Sequence, residues 1–310
     1  MLTPQLKTQK QTQSGNLLPI HKLAIFLQYL RTNGFHKSVA AVFFTRVSQA
    51  LVTITINSVS RVVASFRSKY VVFPDEEEGN RIAASFFEET KFPGIVGVID
   101  GVHFKIMRPY SKDPIPEKFF NRKNCYSLNS VMICDEERRI RWFTSRHAGS
   151  AHDSRIWEES HLKAELARRL PRHLQYLIGD EGFACSSTLL TIVRSAEVGK
   201  ITDPEFLTKV KAYNRALKKA RVRIEHTFGC LKKRWPALLY QIRCSKIANI
   251  QAIISSAVVL HNFLLQDLDP ISNIPDDEFE RQIAEMRMDN INSLRRGQYR
   301  VRNHVIHTFF

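Results

Sequence analysis

The chain reads as a layered domain of strands and helices, α/β or α+β, preceded by a few short helices. Three observations predict it. Strand-like segments cluster between residues 95 and 146, a short helix and a short buried strand follow, and a single long helical stripe closes the series at Pro204 to Arg234. Strands gathered early and then alternating with helices give a sheet covered by helices. With 310 residues, 44% of them apolar, the chain can bury a sizeable core.

The elements follow in order. Residues 1–18, rich in Gln, Thr and Lys, read as a disordered polar tail. Residues 19–73 turn helical: Leu23, Phe26, Leu27 and Leu30 have helix spacing, and Gly34 stands where a C-cap would. Further helices are expected over Ser38–Phe44 and Asn57–Phe66, with the LVTITI run between them read as a strand or irregular insert. Such short helices on a basic chain suit either a helix-turn-helix or a packing module. The stretch VFPDEEEGN reads as a linker.

The period then changes to that of strands. GIVGVIDGVHFKIM is strand-like around a Gly-containing turn, and SLNSVMICD and IRWFTSR are strands joined by the polar hairpin EERR. A helix is expected to open at HDSRIWEES, and QYLIGD reads as a short buried strand. The main domain is thus placed at residues 90–265. The remainder, 266–310, reads as a charged, solvated tail: residues 267–290 carry eight acids against Arg281 and Arg287, and the stretch from Ser293 is basic before it ends in HTFF.

Charge narrows the partner. Lysine and arginine number 46 against 30 acids, for a net charge of +16. This excess favours a polyanion, because each neutralised phosphate releases condensed counterions; solubility charge or an acidic protein partner is the alternative. The five cysteines Cys125, Cys134, Cys185, Cys230 and Cys244 form no CxxC pair, which argues against a disulfide framework or a zinc site. The opening MLTPQLKTQKQTQSGN lacks the apolar core of a signal peptide, and no apolar run is expected to reach the roughly 20 residues of a membrane span. A soluble intracellular protein is expected.

Four acids stand out by position. Asp100 interrupts the apolar run IVGVI, Asp153 opens a helix, Asp180 follows the strand QYLIG, and Glu225 lies within the long helix. An acid directly after a buried strand points into the crevice where open sheets bind ligands, although an Asp there is more often a turn former or a cap. Along the long helix, Tyr213, Leu217, Ala220, Ile224, Phe228, Leu231 and Trp235 are spaced 4, 3, 4, 4, 3 and 4, a continuous buried stripe. Glu225 sits about 100° round from Ile224, at the rim of the stripe. Lys218, Arg221 and Lys232, with Lys233 and Arg234, surround it as candidate nucleic-acid contacts. Carboxylates hold hard divalent cations and neighbouring cations hold phosphates, the combination that metal-assisted phosphodiester cleavage requires. A Glu among cations is otherwise a surface ion-pair partner.

The strings VIDGVHFKI, NRKNCYSLNSVMICD, GSAHDSRIWEES, IGDEGF, AYNRALKKARVRIEHTFGCLKKRW and AVVLHNFL, in this order, resemble the DDE transposases of the Harbinger superfamily and the nucleases derived from them. The resemblance covers residues 90–265 closely and 20–73 loosely. It implies a ribonuclease-H-like core, a mixed sheet flanked by helices, with a small helix-turn-helix-like module in front and residues 38–66 as its DNA contact. It implies that Asp100, Asp153, Asp180 and Glu225 ligate two divalent ions (Mg²⁺ or Mn²⁺), with Asp100, Asp180 and Glu225 as the catalytic triad and Asp153 as an accessory. The function implied is DNA cleavage by a two-metal mechanism, with strand transfer as an extension. His103, His152 and His226 adjoin the acids and are read as structural. A separate Myb-like partner and a nuclear location, with the cytoplasm as a second location, also follow from the resemblance. Two other readings stay open: a DNA-binding or scaffold protein that no longer cuts, and a ribonuclease, disfavoured because no base-stacking aromatic platform is evident.

Overall fold

The computed structural model describes residues 17–34, 39, 47–110, 115–170, 174–266 and 300–309. The chain opens with α1 (Pro19–Thr32), closed by Asn33 in the left-handed region rather than by Gly34. Next come α2 (Gln49–Ala64), the short α3 (Arg67–Tyr70) and α4 (Glu76–Thr90). The core elements are β1 (Ile95–Lys105), β2 (Ser127–Cys134), β3 (Ile140–Ala148), α5 (Asp153–Glu158), α6 (His161–Arg169), β4 (Tyr176–Ile178), β5 (Leu189–Leu190), α7 (Ser195–Val198) and α8 (Pro204–Arg234). After the turn α9 (Pro236–Leu239), the helix α10 (Ile247–Gln266) completes the core, and α11 (Arg300–Phe309) follows the undescribed stretch.

Five strands form one mixed sheet in the order β3-β2-β1-β4-β5, with β1–β2 and β2–β3 antiparallel and β1–β4 and β4–β5 parallel. Alternation along β1 sends side chains to two cores. Val98, Val102 and Phe104 join the larger one with α1, α2, α8 and α10, whereas Val96 and Ile99 join the smaller one with α5 and α6. The whole α8 stripe from Tyr213 to Trp235 is buried as its spacing predicts. Asp203 caps α8, accepting from Glu205 N at 3.0 Å, with Pro204 at the first turn.

The structure corrects several expectations. LVTITI is neither strand nor insert but the first turns of α2, capped by Ser48. Val52, Ile56, Val59 and Val63 form a buried stripe against α1 and α10, and tertiary packing outweighs the β preference of branched residues. DEEEGN is no linker; Asp75 caps α4 and Glu76, Glu77 and Glu78 fill its first turn, where acids favour the helix dipole. β1 runs unbroken through the Asp100–Gly101 pair, where a turn was expected. The last residues are a packed helix rather than a solvated tail: Val305 and Ile306 are buried, Arg302 reaches Glu197 at 2.6 Å, and His307 stacks on Phe206. α10 is also long and apolar enough to cross a membrane, contrary to expectation, yet it is a core helix. Its Asn262 donates to Tyr70 O and Ile140 O and accepts from Ile140 N, clamping α3 and β3 together. The helix expected over Ser38–Phe44, the tail 1–16 and the acidic run 267–290 lie outside the described residues, except that Val39 is helical and buried.

Candidate active site

On β1, β4 reaches only Ile95–Val98, so the half from Ile99 onward has β2 on one side and no strand on the other among the described residues, until Ile242 N donates to Lys105 O at its far end at 2.8 Å. Asp100 stands at the start of this open half. Asp180 lies two residues beyond β4, where its Oδ1 accepts from Gly182 N at 2.9 Å in a tight Asx turn. The open edge and the carboxyl end of β4 therefore share one crevice.

Asp153 arrives from the opposite face of the sheet. α5 docks through Ile156 and Trp157, with Trp157 packed edge-on against Trp142 of β3 at 5.9 Å between ring centroids. That docking lays the Asp153 carboxylate over Gly101, so closely that a Cβ at Gly101 would land on it. Only glycine fits there. Asn129, buried in mid-β2, donates from Nδ2 to Asp153 Oδ1 at 2.6 Å and to Ala151 O at 2.8 Å, fixing the first turn of α5. Sequence reasoning missed Asn129, although a polar amide inside an apolar strand is unusual enough to mark it.

The carboxylates feel one another. Burial pushes the Asp100 carboxyl up to about 7, with Asp180 and then Asp153 adding to the rise, while Arg221 and the Gly101 N–H oppose it. Arg221 Nη2 is 3.6 Å from Asp100 Oδ2, and Gly101 N donates to Asp100 Oδ1 at 2.8 Å. Burial likewise lifts Asp153 to about 6, held back by the Asn129 bond and raised by Asp180. Glu225 is half-buried on α8, one turn after Arg221. Among the described residues no three acidic, histidine or cysteine side chains are gathered tightly enough to form a ready ligand shell.

The cations differ in placement. Lys218 is exposed, and Arg221 and Lys233 are half-buried. Arg234 is buried, its Nη1 bonded to His261 Nδ1 at 2.7 Å, while His261 Nε2 meets Arg138 O at 3.0 Å. Its charge is used inside the fold rather than on an open approach, which corrects the expectation for that residue. Lys232 is buried too, over the Phe104 ring. Of the three histidines, His103 Nδ1 stands 3.0 Å from Ser127 Oγ and His152 faces the Arg122 guanidinium.

Residues 99–262 match the DDE superfamily endonuclease family, a span that opens one residue before Asp100 and closes on Asn262. The chain belongs to that family. It is 28% identical over 298 residues to a Mus musculus protein named "Putative nuclease HARBI1", covering 91% of this chain and 79% of that one. The Xenopus laevis protein of the same name is 25% identical, over 85% of this chain and 73% of its own. A Streptomyces albus G protein named "Putative transposase for insertion sequence element IS112" is 29% identical over 136 residues, 44% of this chain and 46% of its own. No solved structure matches the chain.

Membership of the DDE endonucleases implies the use of divalent cations. The residues present fit such an ion in kind. Their donors are all oxygen, as hard cations prefer. Asp180 and Asp153 raise the Asp100 carboxyl and Asp180 raises that of Asp153, a surplus of negative charge that a cation relieves. Asn129 Oδ1 is a further buried oxygen without a hydrogen-bond partner.

Proposed function

We propose that this protein is a DNA endonuclease of transposase type, working on a ribonuclease-H-like core. The observation that carries the reading is that the Asp153 carboxylate lies over Gly101, next to Asp100, and that Asp180 and Asp153 both raise the Asp100 carboxyl at the open half of β1. Asp100 and Asp180, with Glu225 as the third member of the triad, would hold divalent cations, and Asp153 would support them. When bound, such ions supply Lewis acidity toward the attacking and leaving oxygens of a phosphodiester.

The chain's own residues do the rest. Asn129 and Gly101 hold Asp153 in place. Arg221 balances Asp100 and, with its Nε buried and unbonded, keeps donor capacity for a phosphate oxygen. Lys218 and Lys233 offer α8 to the DNA backbone. In the reaction a water oxygen, or a DNA 3′-hydroxyl in strand transfer, bonds to phosphorus and one bridging P–O bond breaks. A Myb-like partner and a nuclear location complete the reading and rest on the resemblance alone.

The test is nicking of supercoiled DNA by the purified protein with Mg²⁺ or Mn²⁺, beside Asp100→Asn, with and without a Myb-like partner. Metal-dependent nicking by wild type and not by the variant supports the reading. DNA binding with no cleavage under any of these conditions favours the non-cutting DNA-binding protein.

A further inference from the structure

Lys232 is a mostly buried lysine, 9% exposed, with no counter-ion among the described residues. Its Nζ lies 5.9 Å from the centre of the Phe104 ring, and no ion pair or hydrogen bond engages it among the described residues. The charged groups that act on it are Lys105 and Lys123, both of its own sign; together with burial they push its ammonium down to about 8, leaving it charged at neutral pH. An ammonium drawn mostly into the fold beside two further cations is unfavourable unless something negative joins it.

The surroundings are built rather than loose. Lys123 lies in the NRKNCYS loop before β2, where buried Asn121 acts as the hub. Asn121 Oδ1 accepts from Lys123 N at 2.8 Å, and its Nδ2 donates to Ser127 Oγ at 2.8 Å. Ser127 pairs with Lys105 across β1 and β2 and meets His103 Nδ1 at 3.0 Å. Three elements thus present three lysines: β1, the fixed loop and α8.

α8 and β1 run alongside each other, so Arg221 meets Asp100 at one end of the cleft and Lys232 meets Phe104 at the other. The four residue steps from Asp100 to Phe104 span about 13 Å, roughly four base steps of duplex. We propose that Lys232, Lys105 and Lys123 form a seat for a phosphate group at the far end of the cleft from the carboxylates. Its occupant is a phosphodiester of the DNA backbone, or a free phosphate of the same chemistry. The backbone assignment rests on the nucleic-acid reading above; the seat itself does not.

The experiment measures binding of a labelled DNA duplex in EDTA across a salt series, together with thermal unfolding, for wild type, Lys232→Met and the double variant Lys105→Ala/Lys123→Ala. Lys232→Met should unfold at a higher temperature, because a buried unpaired charge is gone, yet bind DNA about tenfold more weakly with the salt slope reduced by about one. A lysine with a merely structural role would show lower stability and an unchanged slope, and that result overturns the proposal. If Lys232→Met fails to fold, the surface double variant carries the test, and an unchanged slope there also overturns it. Inorganic phosphate that raises the unfolding temperature of wild type but not of Lys232→Met identifies free phosphate as an occupant. Protection by duplex alone, lost in Lys232→Met, identifies the backbone. Equal protection of both proteins by either ligand overturns the seat. Since metal is absent throughout, the outcome is independent of whether the protein cuts.

Discussion

Asn129 Nδ2 and Asp153 Oδ1 are 2.6 Å apart, a bond that joins the third residue of β2 to the first residue of α5. Its neutral donor favours the charged carboxylate against burial. Asn129→Leu, similar in size and apolar, should leave Asp153 higher still and cut cleavage by roughly the 10- to 100-fold cost typical of a lost support for a metal ligand. Cleavage at the wild-type rate would show that Asp153 needs no such hold.

Gly101→Ala places a methyl group where the Asp153 carboxylate lies. The carboxylate or α5 must move, at a cost of about 1–3 kcal/mol for overpacking. We expect a folded protein, checked by circular dichroism, with strongly reduced nicking. A variant as stable and as active as wild type would remove Asp153 from the site.

Asp100→Asn should separate stability from activity. The folded Asp100 carboxyl is raised to about 7, above its ordinary 3.8, so between these values the folded state holds the extra proton. Metal-free stability then falls as pH rises through that window. In Asp100→Asn this decline should be shallower by urea unfolding between pH 5 and pH 8, while nicking drops by orders of magnitude. The same pH slope in both proteins would contradict the burial of that charge.

His261 works in the other direction. Burial and Arg234 push its imidazole down to about 3 from 6.5, so the unfolded state binds more protons between these values. Stability contributed by the neutral ring is present above about 6.5 and is lost progressively on acidification toward 3. Urea midpoints followed from pH 7.5 to pH 5 should fall less in His261→Gln than in wild type. Arg234→Met, which leaves the His261 acceptor unpaired, should cost about 1–3 kcal/mol with DNA affinity unchanged. A clear loss of affinity would return Arg234 to the DNA-binding surface.

Ile56→Ala tests the helical reading of LVTITI. Ile56 is 1% exposed in the stripe that α2 turns toward α10. Truncation should cost about 2–5 kcal/mol, read as a lowered urea midpoint; an inserted surface loop would lose almost nothing.

These variants mark how far residues alone could be read. Spacing was sufficient for α8, because a stripe of seven apolar positions over 23 residues fits one geometry only. It was sufficient for β2, β3 and their hairpin as well. It failed at LVTITI, where alternation and branching say strand and only the cover supplied by α10 says helix. It failed at DEEEGN, where charge density hid a cap and an acidic first turn. In the site, Asp100 and Asp180 were legible as acids at strand positions. The burial of Lys232 and Arg234 was not, because a basic run at a helix end looks the same whether it faces solvent or the next helix.

The union of α2 with α10 has a consequence for how the chain is made. Arg61 bonds Asn249 across 188 residues, and α2's apolar stripe has its main cover in α10. On a ribosome, α2 emerges early and waits while the whole sheet is synthesised, with its greasy side covered by no more than α1. α10 then appears as a 20-residue segment in which an 18-residue window has a mean hydropathy of 1.5, sticky until it docks. Contacts so distant in sequence slow folding. Chains stopped short of residue 247 should therefore be chaperone clients and aggregate, even though they contain every acid of the cleft.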